Sequence, residues 1–251
     1  METKLRIDIL RQPDDETCGP TCLHAIYRYY GLELPLDALI AGIPKLDDGG
    51  TLAVWLACDA LKRDYAAKIF TYNLPVFDPS WFERELSAEE LANRLRAQMA
   101  FKTKKRRLQF ASKAYIEYLE HGGRLRFEDL TTALVRRYLN TGRPIITGLS
   151  STYLHRSCRE YGPEQIDDDI RGQPAGHFVI LAGYNRETRE VLVADPLFPN
   201  PLSETCEYLV SIDRVIGAIL LGVVTHDANL LIIEPRTKRR TPEHADSDRS
   251  Q

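Results

Sequence analysis

Gln12-Pro13-Asp14-Asp15-Glu16-Thr17-Cys18-Gly19-Pro20-Thr21-Cys22-Leu23 is where an acidic loop turns into a helix. Pro20 has no N–H to give to an earlier carbonyl, so it is tolerated only in a first helical turn. That places Cys18 at the very start of the helix. Cys22, Ile26 and Tyr29–Tyr30 then follow helical spacing, and Gly31 suits a C-terminal stop. A helix start offers unpaired N–H groups and a partial positive charge, which favour a thiolate. Gly19 leaves room for a substrate to approach.

Outward from this helix, the first half of the chain reads as helical. LPLDALIAG (34–42) is a short helix, Asp47-Asp48-Gly49-Gly50 a turn, and Thr51 is placed to cap TLAVWLACDALKRD. From about 75 to 142 the sequence is charged and helical. Ser87 and Glu90 make a capping box, and KTKKRR (102–107) puts five cations in six residues. That run reads as a solvated face, with too few interleaved aromatics for base stacking.

The second half changes period. PIITGL (144–149), HFVILAGY (177–184), EVLVAD (190–195), EYLVSI (207–212), AILLGVV (218–224) and LLIIE (230–234) read as strands. Asn185–Arg189 would return the second onto the third as a hairpin, and Phe178–Ala182, apolar on both faces, would be central. Helices first and an antiparallel sheet second give an α+β domain over 1–234, with a helical insertion at about 75–142. The tail 235–251, which carries Arg236, Lys238, Arg239 and Arg240, is expected to be disordered.

Composition narrows the functional classes. The chain has 251 residues, 43% of them hydrophobic, and a net charge of −3, which disfavours a dedicated nucleic-acid binder. Five cysteines are too sparse and odd in number for a disulfide framework. No apolar run reaches membrane-span length and no signal-peptide pattern opens the chain, so the expectation is a cytoplasmic protein with no membrane.

Sulfur-based amide chemistry needs a thiolate, a base, a group that orients the base, and donors for the oxyanion. Cys18 is the candidate nucleophile. His177, opening a buried strand after Gly176, is the candidate base. Its rivals are weaker: His24 is inside the first helix, His121, His155 and His226 lie in turns or loops, and His244 is in the tail. Asp195 ends the neighbouring strand and would hold imidazole Nδ1. Gln12, six residues before Cys18, would give an oxyanion donor beside the Cys18 N–H. A metal or redox role for Cys18, Cys22 and His24 is poorly supported, since no second Cys/His pair and no CxxC are present. No cofactor and no metal are expected. Cys22 reads as core packing.

The segment Gln12–Leu23 resembles the nucleophile motif of the peptidase C39-like family, a branch of the papain-like cysteine peptidases. Gly176-His177-Phe178-Val179-Ile180-Leu181-Ala182-Gly183-Tyr184 is similar to the family's histidine strand, and Val193-Ala194-Asp195-Pro196 to its aspartate motif. The order Cys, His, Asp and the upstream Gln match over about 8–65 and 142–224. Thr17 departs from the aspartate common at that place. The resemblance implies a papain-like fold and thiol-dependent hydrolysis of a peptide or amide bond. The alternatives are an acyltransferase or transpeptidase on the same fold, or an inactive peptide-binding module. Its exporter-fused members cut after Gly-Gly pairs; without a transmembrane segment or P-loop, that role is not carried over.

Overall fold

The computed structural model describes residues 2–46, 49–225 and 227–236. In chain order it comprises β1 (Glu2–Lys4), α1 (Cys18–Tyr29), α2 (Leu36–Gly42), α3 (Ala53–Lys62), β2 (Tyr65–Thr71), α4 (Ser80–Glu83), α5 (Ala88–Phe101) and α6 (Arg106–Glu120). Then come β3 (Arg124–Arg126), α7 (Thr132–Leu139), β4 (Ile145–Ser150), α8 (Ser151–His155), β5 (Glu160–Tyr161) and β6 (Ile166–Asp167). The chain closes with β7 (Gly176–Asn185), β8 (Glu190–Ala194), β9 (Glu207–Ser211), α9 (Ile212–Leu221), a 3-10 turn at Gly222–Thr225 and β10 (Asn229–Pro235).

The main sheet runs β3-β2-β10-β4-β7-β8-β9, and β1 pairs with the end of β7 that β4 leaves open. Every pairing is antiparallel except β2 with β3. Side chains alternate across it. Ile69, Ile146, Phe178, Ile180 and Ala182 pack with α1, α3, α5 and α6. Phe70, Ile145, Val179, Leu181 and Val193 pack with α7, α8 and α9 on the other face. The sheet is thus covered on both sides, and β7 is central, as its run of apolar residues predicts. The expected hairpin from β7 to β8 is present, with a register irregularity between Leu181 and Gly183.

The local signals at α1 hold. Gly31 sits at φ +81°, Gly31 N–H bonds Arg28 O and Leu32 N–H bonds Tyr27 O, the paired bonds of a glycine-stopped helix. The Ser87–Glu90 capping box also forms.

Several expectations are corrected. AILLGVV is not a strand: α9 buries Ile212, Val215, Ala218 and Ile219 at helical spacing, while Leu220 and Leu221 are exposed. Short apolar runs do not separate the two periods, and the helix start, capped by Ser211, lies upstream of that run. The helical first half contains β2, whose YAAKIFT is poor in β-branched residues, and the helical middle contains β3. Thr51 does not cap α3. Its hydroxyl donates to Pro44 O, and the cap is supplied from far away by Asp227 Oδ2, which accepts from Ala53 N at 2.7 Å. Pro235 is still in β10 and Arg236 reaches Asp64 at 3.5 Å; the rest of the tail, Asp47, Asp48, His226 and His244 lie outside the described residues.

Candidate active site

The first turn of α1 is packed hard against its surroundings. A Cβ on Gly19 would lie 2.6 Å from Thr51 Cγ2 and 3.2 Å from the Phe178 ring, so only glycine lets the helix start sit this close. Cys18 is the first helical residue and is 6% exposed. Among the described residues, no acceptor takes the N–H of Cys18 or Gly19, while Thr21 N bonds back to Thr17 O. Thr17 itself gives α1 no side-chain cap.

His177 and Asp195 point to the same side of the sheet, and His177 Nε2 bonds Asp195 Oδ1 at 2.7 Å. The sequence placed the carboxylate on Nδ1; it takes Nε2, which leaves Nδ1 as the ring nitrogen available to the thiol. Burial disfavours the imidazolium, but the charges of Asp195 and Cys18, and side-chain hydrogen bonding from both, push His177 up to about 10. Asp195 is fully buried. Burial alone would raise its pKa. The His177 charge and hydrogen bonds from His155, His177 and the Leu197 N–H instead hold it well below the usual carboxylate range.

Two further residues complete this cradle and escaped the sequence reading. His155 Nε2 contacts Asp195 Oδ2 at 3.2 Å, and the Tyr208 hydroxyl donates to the same oxygen at 2.8 Å. With Leu197 N donating to Oδ1 at 2.9 Å, all partners of the carboxylate are buried or backbone groups. His155, expected in a loop, ends α8. Nothing local in the sequence marks it, because its partner is 40 positions away. Tyr208 was more readable: it alternates with Val210 on the inward face of β9, where a buried phenol needs an acceptor.

Gln12 is tied to this region by its backbone, N–H to Pro196 O at 2.9 Å. Its amide Nε2 donates to Asp14 O at 2.9 Å, which leaves one amide hydrogen uncommitted. It is not among the residues lining the cleft that holds Cys18 and His177. Cys22, one turn below Cys18, is buried and donates to Phe178 O at 3.4 Å; burial, Cys18 and Asp195 raise its pKa well above the usual thiol value. That is core packing, as expected.

The cleft has a volume of 460 Å³. Asp15, Glu16 and Glu160 stand around it, and Gly49, Gly50 and Gly176 give stretches of wall without side chains. Part of its lining comes from Asp227. This carboxylate accepts from Ala53 N and from Asn229 Nδ2, and burial raises it to about 7 despite both bonds. Gly148 must be glycine here, since a Cβ would fall 2.4 Å from Asp227 O. Among the described residues, no cluster of His, Cys, Asp and Glu has a metal-site arrangement, and no helix is long and apolar enough to cross a membrane.

A model of the Peptidase_C39 like family matches residues 4–209, a span that contains α1, β7 and β8. The chain belongs to the Peptidase_C39 like family. Among solved structures, this C39-like chain is similar to a putative C39-like peptidase from Bacillus anthracis, with 15% identity, a TM-score of 0.48, and 95% of this chain and 100% of that one covered. It is also similar to a double glycine motif protease from an AMS/PCAT transporter in complex with its leader peptide (12%, 0.45, 93% and 95%). A third similar structure is the peptidase domain of Streptococcus ComA, a bi-functional ABC transporter (12%, 0.44, 92% and 100%). No curated protein matches the sequence. The fold is α+β, with the cysteine helix laid on a sheet that carries the histidine and the aspartate.

Proposed function

We propose that this C39-like protein hydrolyses a peptide or amide bond with Cys18 as nucleophile. The observation that carries the reading is the buried 2.7 Å bond from His177 to Asp195, in a cleft that opens on a thiol at a helix start. The Cys18 thiolate attacks the amide carbon. The unpaired N–H of Cys18, and the free amide hydrogen of Gln12 once it turns toward the cleft, hold the oxyanion, each donor worth roughly 3–4 kcal/mol in comparable sites. His177 protonates the departing amine at its Nδ1 and then takes a proton from water, which releases the acid and restores the thiol. Asp195, held by His155, Tyr208 and the Leu197 N–H, fixes the imidazole and balances its charge. The family match supports a peptide as substrate.

Iodoacetamide at pH 6 with mass mapping tests this. Cys18 is expected to alkylate much faster than free cysteine and Cys22 hardly at all. Cys18→Ala should abolish peptide hydrolysis while Cys22→Ala keeps most of it. A Cys18 no more reactive than free cysteine would instead favour a peptide-binding module.

A further inference from the structure

Away from the cleft, a cavity of 420 Å³ lies between the β2–β3 end of the sheet and the last turn of α7, and it shares no lining residue with the cleft. Lys68, Arg126, Arg137 and Arg143 face it, against two carboxylates, Glu128 and Glu234. In a chain of net charge −3, this wall carries an excess of two positive charges. Strand pairing does not account for them. Lys68 lies opposite Arg124 in the parallel register of β2 and β3, and Phe70 lies opposite Arg126. Like charges directly opposite across strands destabilise a sheet. Among the described residues, none of Lys68, Arg124 and Arg126 pairs with a carboxylate, whereas Arg137 pairs with Glu128 and Arg143 with Glu234. Aromatic rings hold two of the cations in place. Phe70 and Tyr138, buried with ring centroids 5.7 Å apart, make the floor. Lys68 Nζ stands 5.4 Å from the Tyr138 ring and donates to its hydroxyl at 3.1 Å; among the described residues no acceptor takes that hydroxyl's own hydrogen. The Arg137 guanidinium stands 5.8 Å from the Phe70 ring and 5.4 Å from that of Tyr138. An aromatic face attracts a cation without cancelling its charge. Arg143 Nη1 is steadied by the Thr141 hydroxyl, which accepts from it at 3.0 Å.

We propose that this cavity is a binding site for a dianionic phosphoryl group, either free phosphate or the phosphate monoester of a small molecule. The site is separate from the Cys18 cleft and does not rest on the hydrolase reading. A phosphate monoester carries about two negative charges at neutral pH and three strong acceptor oxygens, which matches the excess on the wall. Guanidinium forks meet phosphate oxygens two at a time, and a lysine adds a point charge. A phosphodiester backbone or a carboxylate brings one charge per group and leaves half of the excess unanswered. Arg137 and Glu128 form an exposed pair, and such pairs add little to stability, so Arg137 can turn from the carboxylate to the ligand.

The test is calorimetric titration of the full chain at about pH 8, where a monoester is dianionic, with phenyl phosphate, inorganic phosphate, methyl phenyl phosphate and benzoate. Phenyl phosphate is expected to bind saturably, at least about tenfold tighter than the diester or benzoate, and to weaken with added salt. Lys68→Gln, shown to be folded by circular dichroism, should weaken it at least about tenfold. Glu128→Gln should strengthen it about three- to tenfold, a gain that no loss of fold can imitate. Saturating phenyl phosphate should also shield Lys68, but not Lys104, from acetic anhydride, as read by mass mapping. Inorganic phosphate that binds as tightly as phenyl phosphate upholds the site with free phosphate as its ligand; tighter binding of the ester upholds it with a phosphorylated small molecule. Equal affinity for monoester, diester and benzoate, an affinity unmoved by both variants, or an unshielded Lys68 would overturn the proposal. So would a thymidine oligonucleotide that binds tighter than phenyl phosphate and is lost in Lys68→Gln, which would assign the wall to a nucleic-acid backbone. None of these results bears on the reactivity of Cys18, so the hydrolase reading stands or falls separately.

Discussion

At the residue scale, the site turns on one carboxylate with four partners. Asp195 binds two imidazoles, a phenol and a backbone N–H, so neither its position nor its charge is left to solvent. The places of Cys18, His177 and Asp195 at a helix start, at a strand start and just past a strand end were legible in the sequence. His155 was not, because its role exists only across the sheet. The raised pKa of His177 sets a pH limit. In the proposed mechanism the leaving amine needs the imidazolium, so hydrolysis should persist through neutrality and fall as pH rises through about 10. Asp195→Asn removes the charge that favours the cation. A pH–rate profile of the variant should show the alkaline limb moved to lower pH, with a lower maximum. An unmoved limb would mean that another group sets it.

At the scale of elements, α1 is seated by the absence of a side chain. Gly19→Ala must push Thr51 or Phe178 aside, and overpacking of that kind typically costs about 1–3 kcal/mol. Urea denaturation should show a lower midpoint at unchanged slope, with slower hydrolysis from the displaced thiol. An unchanged midpoint would show that the loop carrying Thr51 yields freely. Elements with a strong period, such as α1 and β7, were legible. β2 was not, since YAAKIFT offers few β-branched residues and its place between β3 and β10 comes from partners distant in the chain. α9 was misread because an apolar run buried on one side looks the same in either period until its polar neighbours are counted.

For the whole molecule, long-range polar contacts make stability depend on pH in a definite order. Asp195, held low, stabilises the fold above the ordinary carboxylate value near 4, and that contribution is lost as pH falls. His177, held high, stabilises fully below about 6.5, and that contribution is lost as pH rises through about 10. Asp227 has the opposite sign to Asp195. Its folded pKa of about 7 lies above the unfolded value near 4, so the folded state keeps the extra proton and stability falls as pH rises across that interval. Asp227→Asn should therefore flatten the thermal-midpoint profile between about pH 4 and 7. Asn229 Oδ1, buried without a partner, can turn to accept from the new amide. A slope unchanged in the variant would place the titration elsewhere.

The cleft joins walls from the loops around 15–16, 49–51 and 160–176 to a base made by the ordered layers. Those loops are far apart in the chain and are anchored on a sheet whose two faces are packed independently. Exchanging residues 160–173 would reshape what the cleft accepts, whereas the 49–51 loop is held by the packing of Thr51 against Gly19 beside the thiol. This separation makes the scaffold a natural starting point for re-engineered binding preference in the cleft.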